Sequence, residues 1–182
     1  MASSTSRTAT PSATRDASAA VESALRTLDA EASGITALVN ALQSDLGNAF
    51  DAAVELVRNA KGRLIVTGLG KSGHIGKKMA ASFASTGTPS FFVHAAEANH
   101  GDLGMITTDD VILALSWSGE TAELKNLINY SRRFRIGLIA VTSEANSTLG
   151  AAADVVLTLP KAREACPHNL APTTSSLMQL AL

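Results

Sequence analysis

The chain has 182 residues, 46% of them hydrophobic, which is enough to bury the core of one domain of ordinary size. Its formal net charge of −1 comes from interspersed acids and bases, and this excludes the clustered lysine and arginine of a nucleic-acid-binding surface. No apolar run approaches the roughly 20 residues that span a bilayer, and the single cysteine, Cys166, cannot form an internal disulfide. These features predict a cytoplasmic protein without nucleic-acid or membrane partners.

Residues 1–16 are rich in Ser, Thr, Ala and Arg and hold no acid before Asp16. They lack a periodic apolar pattern, which predicts a disordered leader. An organelle transit peptide has a similar composition and stays open as an alternative. We expect the folded domain to cover residues 17–182.

From Val21 to Val57, apolar residues recur in steps of three and four, which predicts a long helix or two stacked helices. Gly34, preceded by Ser33, is the expected break. The apolar stripe can cap the sheet of its own subunit, or it can form a helix that subunits share. Because the stripe is long and precedes every predicted strand, we favour contacts between subunits and expect a homo-oligomer.

After residue 62, short apolar runs alternate with helix-like segments. The predicted strands are residues 63–67, 90–94, 111–116, 137–142 and 154–159, and the predicted helices between them are 74–86, 121–134 and 147–152. This alternation is typical of a parallel sheet covered on both faces. We therefore predict the α/β class: a three-layer α/β/α sandwich with a five-stranded parallel sheet, preceded by long N-terminal helices.

Residues 173–182 begin like a helix and stop without a glycine cap or terminal basic residues. This pattern predicts a C-terminal helix that is truncated.

Two loops that contain glycine and serine directly follow predicted strands. The first reads VTGLGKSG over residues 66–73, and the second reads SWSGET over residues 116–121. Each turns from a strand into a helix, whose first N–H groups lack partners and whose dipole is positive at that end. Two such turns in one sheet predict a pocket for a small phosphorylated molecule.

The first loop has the glycine spacing of a dinucleotide site, but residues 91–95 end without the acid that would hold a ribose. It also resembles a Walker A loop, yet Ile65 stands where that motif needs glycine. The second loop offers three hydroxyls, those of Ser116, Ser118 and Thr121, whereas a helix cap needs only one. Hydroxyls and amides can hold a phosphate monoester without a metal, so we favour a sugar phosphate over a nucleotide.

Together the two loops resemble those of the sugar isomerase (SIS) domain. Further stretches resemble the D-arabinose 5-phosphate isomerases: GTPSFFVH at 87–94, HGDLGM at 100–105, EACP at 164–167 and LAPTTS at 170–175. The resemblance runs from about residue 62 to the end of the chain. It implies an SIS fold and interconversion of D-ribulose 5-phosphate and D-arabinose 5-phosphate through an enediol, a step towards the Kdo sugar of lipopolysaccharide. It implies no organic cofactor. The spacing of His94, Glu97 and His100 is not that of a metal-binding motif, so we expect no required metal.

The resemblance also implies site residues. Lys71 would face the substrate, either stabilising the enediolate or pairing with the phosphate; a solvated loop lysine is the alternative. The phosphate would be bound by hydroxyl-bearing residues of the two loops, with further candidates near the C-terminus. These residues are Ser72, Ser116, Ser118, Thr121, Thr173, Thr174 and Ser175.

The catalytic base is expected among Glu164, His100 and Glu123, in that order of preference. Partial burial of Glu164 should raise its pKa towards working pH, as general-base chemistry requires. His100 can shuttle a proton or open the sugar ring, or it can serve structure alone. Glu123 lies in the first turn of a predicted helix, where a simple partner for the helix dipole is the alternative.

Similar enzymes continue the last helix into a His-Pro-Gly-Gly stretch, and many add two CBS regulatory modules; neither follows Leu182. In SIS enzymes neighbouring subunits complete each other's pockets, so shared active sites are expected. Two other functional classes stay open. A non-catalytic sugar-phosphate sensor is one. SIS domains of this kind usually follow a helix-turn-helix with a basic recognition helix, and residues 17–60 hold only Arg26 and Arg58 as bases, which disfavours it. An inactive, oligomerising remnant is the other.

Overall fold

The structure is a computed structural model that describes residues 18–182, so the predictions for residues 1–16 lie outside the described residues. The helices are α1 (Ala19–Leu42), α2 (Asp45–Arg58), α3 (Gly70–Ser85), α4 (Ala95–Ala98), α5 (Lys125–Phe134), α6 (Thr148–Ala152) and α7 (Thr174–Ala181). The strands are β1 (Leu64–Gly68), β2 (Ser90–His94), β3 (Val111–Leu115), β4 (Gly137–Thr142) and β5 (Val155–Thr158). Each strand lies within one residue of its predicted bounds.

All five strands are parallel and lie in the order β2-β1-β3-β4-β5. The chain leaves β1 towards β2 on one side and leaves β3 towards β4 on the other, so the winding reverses between β1 and β3. Gly68 and Leu115, the last residues of these two strands, are paired in register. Open parallel sheets bind ligands at the carboxyl ends of their strands at such a reversal.

The sheet buries both of its faces. One face carries Val66, Leu113 and Val141 and is packed by side chains of α1, α2, α3 and α7. The other carries Ile65, Ile112 and Ala140 and is packed by side chains of α4, α5 and α6. The predicted α/β/α sandwich with its N-terminal helices is confirmed. Every helix among residues 18–182 is too short or too polar to cross a membrane.

The expected helix break at Gly34 is wrong, because α1 runs through it and the break falls at Gln43 and Ser44. Gly34 is buried against α7, where an added Cβ would overlap the methyl group of Thr174 and lie 3.2 Å from the sulfur of Met178. The glycine therefore allows two helices to approach closely, which local sequence does not reveal.

Other helical segments also differ from the prediction. Helix α3 starts at Gly70, four residues before the predicted start at His74, so the glycine loop forms its first turn. Segment 121–134 divides into a 3-10 turn (Ala122–Leu124) and α5. Helix α4 and a 3-10 turn (Asp102–Met105), both after β2, were not predicted, since each is only four residues long.

Asp110 joins the starts of β1 and β3. The residue is 2% exposed, and its carboxylate accepts hydrogen bonds from the backbone N–H of Arg63 at 2.7 Å and of Thr107 at 2.7 Å. The Arg63 guanidinium also pairs with it, at 3.1 Å. Burial raises the pKa of Asp110, but the bonds from Arg63 and Thr107 outweigh burial and lower it overall. This anchor lies at the end of the sheet away from the glycine loops.

Candidate functional site

A cleft of about 320 Å³ opens beside the carboxyl ends of β1 and β3. It is lined by the first turn of α3, the second glycine loop, the segment after β5 and the first turns of α7. Its lining residues are Ser72, Trp117, Ala162, Glu164, Asn169, Leu170, Pro172, Ser175 and Ser176. The structure thus brings three predicted site residues, Ser72, Glu164 and Ser175, into one cavity.

Glycines bring the first loop close to the sheet. Gly70 has a φ of +56°, a conformation that favours glycine. A Cβ on Gly68 would lie 3.1 Å from the backbone carbonyl carbon of Ser72 and 3.2 Å from the backbone nitrogen of Gly73, so the N-terminus of α3 sits directly against the end of β1. Ser72 lines the cleft from the first turn of α3, and Lys71 beside it is exposed. First-turn N–H groups carry no intrahelical partner, which makes this helix end suitable for an anion.

The hydroxyls of the second loop bond within the loop itself. The Ser116 and Thr121 hydroxyls lie 2.7 Å apart, and Ser116 also accepts from the Gly119 N–H at 3.1 Å. Ser118 accepts from the Glu120 N–H at 3.2 Å. Gly119 has a φ of +66° and packs against Ser147, so only glycine fits this position. These bonds fix the shape of the loop, and its cleft-lining residue is Trp117.

Trp117 was absent from the predicted site residues. Its carbonyl oxygen accepts from the Ser143 N–H at 2.9 Å, the Ser143 hydroxyl at 2.9 Å and the Thr142 hydroxyl at 3.1 Å. Its half-buried side chain packs against the core below the cleft. From the sequence, a loop aromatic between two predicted phosphate ligands could wall the pocket or simply pack, and Trp117 both lines the cleft and packs against the core.

Glu164 holds the start of α7. Its Oε2 accepts from the Thr173 N–H at 2.7 Å, the Thr173 hydroxyl at 2.9 Å and the Ser175 N–H at 3.3 Å. Burial raises the pKa of Glu164, but the hydrogen bonds from Ser175 and Thr173 outweigh burial, and the pKa lies below its ordinary value. The expected rise in its pKa is therefore wrong, because the sequence did not show that a helix N-terminus would face the carboxylate.

The three C-terminal phosphate candidates lie in different surroundings. The N–H groups of Thr173 and Ser175 already donate to Glu164. Ser175 also lines the cleft, whereas Thr174 is fully buried and faces Gly34 of α1. Of these three residues, Ser175 is the one whose side chain borders the cavity.

His100 and Glu123 lie outside the cleft. His100 follows α4, and Glu123 lies in the 3-10 turn before α5; both helices pack on the face of the sheet opposite α7. The side chain of Asn99 donates to the Glu123 carbonyl at 3.3 Å, so the turn with His100 is close to the 3-10 turn with Glu123. His100 is exposed and Glu123 is half-buried. Within residues 18–182, no three His, Cys, Asp or Glu side chains cluster with the geometry of a metal site.

The segment after β5 curls around Cys166. Backbone N–H groups of Ala171, Leu170 and His168 face the sulfur and lower the pKa of the Cys166 thiol. The Asn169 N–H donates to the Cys166 carbonyl at 2.9 Å, and Asn169 itself has a φ of +53°. This tight turn carries Asn169 and Leu170 to the rim of the cleft. Neither residue was predicted, because the sequence showed only an irregular segment.

Comparison with known proteins identifies the family to which this architecture is similar. The family model described as "SIS domain" matches residues 56–182. The arabinose 5-phosphate isomerase KdsD of Pseudomonas aeruginosa is 51% identical over 162 residues, 89% of this chain and 48% of that protein. The arabinose 5-phosphate isomerase KpsF of Escherichia coli is 51% identical over 140 residues, 77% of this chain and 44% of that protein. The chain spans about half the length of the curated relatives it matches.

A solved structure agrees in fold as well as sequence. The E. coli CFT073 protein c3406, solved in complex with arabinose 5-phosphate, superposes with a TM-score of 0.81 at 37% identity, and the match covers 89% of this chain and 84% of that one. The family match covers more than half of the chain and includes every strand and both glycine loops. The chain therefore belongs to the SIS domain family.

Proposed function

We propose that this chain is an aldose–ketose isomerase that interconverts D-ribulose 5-phosphate and D-arabinose 5-phosphate through an enediol, supplying a precursor of the Kdo sugar. The observation that carries the proposal is the cleft, where Glu164 and the N-terminus of α3 border one cavity at the winding reversal. Two relatives at 51% identity are named arabinose 5-phosphate isomerases, which supports the same substrate class.

The phosphate binds at the N-terminus of α3 in this proposal. The open N–H groups of its first turn and the Ser72 hydroxyl can donate to phosphate oxygens. The second loop borders this position and supplies Ser116, Ser118 and Thr121, whose hydroxyls can rotate towards a bound anion. Lys71, exposed in the same turn, pairs with the phosphate or stabilises the enediolate oxygen.

The isomerisation moves a proton between C1 and C2 of the sugar, so it needs a base near those carbons. Glu164 lies in the cleft, and its lowered pKa keeps it ionised at neutral pH, although it also makes the carboxylate a weaker base. His100 and Glu123 remain candidates, but both lie outside this cleft. Either could reach the substrate only if another part of the protein, such as a neighbouring subunit, completes the site. We assign all three as candidate bases and separate them by experiment.

The chain acts as a homo-oligomer with shared sites in this proposal. The exposed position of His100, outside its own cleft, suits a residue that completes the cleft of a neighbour. The N-terminal half of α1 supplies a contact surface, because Val21, Leu25 and Leu28 form an exposed apolar stripe. The single cysteine and the cytosolic sugar-phosphate substrate class favour a cytoplasmic location.

The test is incubation with D-ribulose 5-phosphate in deuterium oxide, followed by NMR of the recovered sugars. We expect D-arabinose 5-phosphate with deuterium at C2. Substitution of the true base, in the set Glu164→Gln, His100→Gln and Glu123→Gln, should lower exchange by about 10²-fold or more. Binding of the sugar by the wild-type chain with neither label entry nor formation of D-arabinose 5-phosphate contradicts the isomerase proposal and favours a sensor or an inactive remnant.

A further inference from the structure

The cleft has a polar part and an apolar part. Ser72, Glu164 and Ser175 supply hydroxyl and carboxylate groups. Trp117 and Leu170 supply large apolar side chains on the same cavity. Leu170 is 82% exposed, the highest value among the exposed large hydrophobic residues of the described chain. A phosphate group makes no use of such a surface.

Trp117 is held rigidly. Three hydrogen bonds to its carbonyl oxygen fix the backbone to the end of β4, through Thr142 and Ser143. The side chain of Trp117 is partly buried against the core, and Trp117 is one of the residues that line the cleft. The ring therefore presents a preformed apolar surface that costs little conformational entropy when a ligand binds.

Leu170 is held outward by the turn before it. Asn169 adopts a left-handed conformation that asparagine tolerates better than most residues, and its N–H closes the turn onto Cys166. Leu170 follows directly and points into solvent at the rim of the cleft. Covering this side chain would remove apolar area from water, which favours binding.

We propose that Trp117 and Leu170 form an apolar wall that contacts the carbon chain of the bound sugar phosphate and determines which phosphate esters bind tightly. The inference rests on the proposed function, because it takes the cleft as the sugar-phosphate site. A pentose chain offers C–H groups to an indole ring and an isobutyl group, whereas inorganic phosphate offers none. The wall therefore gives affinity to the carbon chain, while the N-terminus of α3 gives it to the phosphate.

The chain provides its own probe, since Trp117 is its single tryptophan. The wild-type chain is titrated with D-arabinose 5-phosphate and with inorganic phosphate, while calorimetry measures binding independently. We expect the pentose phosphate to change the tryptophan emission at the concentration where binding heat appears. Inorganic phosphate should bind more weakly and change the emission less, because it has no carbon chain to cover the indole.

A variant tests the second residue of the wall. Leu170→Ser should weaken binding of D-arabinose 5-phosphate by about tenfold and leave the affinity for inorganic phosphate unchanged. Leu170 is too exposed for the substitution to disturb the fold, and circular dichroism verifies this. Leu180→Ser is the matched control, because Leu180 is 40% exposed on α7 and does not line the cleft; it should bind like the wild type.

The outcomes separate the wall from the function. Binding heat with unchanged emission, together with wild-type affinity in Leu170→Ser, overturns the wall and leaves the proposed function intact. A tenfold loss for inorganic phosphate as well overturns the wall, since Leu170 would then act on the phosphate subsite. Absence of binding heat for D-arabinose 5-phosphate overturns both.

Discussion

Glu164 is the residue whose surroundings matter most for the proposed site. It faces Thr173 and Ser175 at the start of α7, where its negative charge meets the positive end of the helix. Hydrogen bonds to a charged group contribute about 1.5–3 kcal/mol each when buried, and less where water competes. The same carboxylate that borders the cleft therefore also stabilises the start of α7, which lines the cleft.

Glu164→Gln tests this stabilisation. We expect the free energy of unfolding at pH 7 to fall by about 1–2 kcal/mol, measured by denaturant titration. Because the pKa of Glu164 in the folded chain lies below its ordinary value of 4.5, the stabilisation is present above pH 4.5 and is lost as the pH falls through the folded-state pKa. The difference between the two proteins should therefore shrink in acid.

Glu97→Gln is the control for this experiment, since Glu97 is exposed on α4. It should have the same free energy of unfolding as the wild type at pH 7 and in acid. A Glu164→Gln protein as stable as the wild type at pH 7 would show that the carboxylate does not stabilise α7. The proposed role of Glu164 as a catalytic base would then be the one that remains.

At the scale of elements, the contact between α1 and α7 depends on one glycine. Glycine inside a helix ordinarily costs about 1 kcal/mol relative to alanine, so Gly→Ala usually stabilises. At Gly34 we expect the opposite sign, a loss of about 1–3 kcal/mol, because the new methyl group would overlap Thr174 and crowd Met178. Thermal unfolding of Gly34→Ala beside Ser33→Ala, an exposed neighbour in the same helix, measures the difference. Stabilisation by Gly34→Ala would refute the close approach.

The anchor between β1 and β3 gives a second prediction at this scale. Asp110→Ala leaves the N–H groups of Arg63 and Thr107 without their acceptor, so we expect a loss of about 3 kcal/mol in unfolding free energy. Asp109→Ala is the matched control, because its side chain is exposed. Since the hydrogen bonds from Arg63 and Thr107 outweigh burial and lower the pKa of Asp110, its contribution should disappear in acid. Equal unfolding midpoints for the two variants at pH 7 would contradict this role.

At the scale of the whole molecule, α1 carries an apolar surface that no other part of residues 18–182 covers. Leu25 is 57% exposed and Leu28 is 60% exposed, one helical turn apart. Leu25→Lys should lower the molar mass measured by light scattering, because a charged group in an apolar subunit interface is unfavourable. Ser23→Lys adds the same charge on the opposite side of the helix and should leave the mass unchanged. A monomeric wild-type chain would remove the proposal of shared sites.

Local chemistry explains why the strands and both glycine loops could be predicted. Buried parallel strands read as short apolar runs, and the turns between strand and helix require glycine at Gly70 and Gly119 because of their positive φ. The motifs around these positions also carried the resemblance to the SIS domain, which the family match over residues 56–182 confirms. The roles of the individual site residues stay predictions.

Long-range contacts explain what the sequence did not reveal. Helix α1 continues through Gly34 because α7, some 140 residues later, packs against it, and the pKa of Glu164 is lowered because the chain returns to α7 beside it. Trp117 and Leu170 border one cleft only after β3 and the segment beyond β5 come together. The sequence by itself thus determined the strands, the turns and the family, because each depends on neighbouring residues. Tertiary structure alone decided which side chains share the cleft, because that depends on distances between residues remote along the chain, and how Glu164 ionises, because that depends on the turn that brings Thr173 and Ser175 back to its carboxylate.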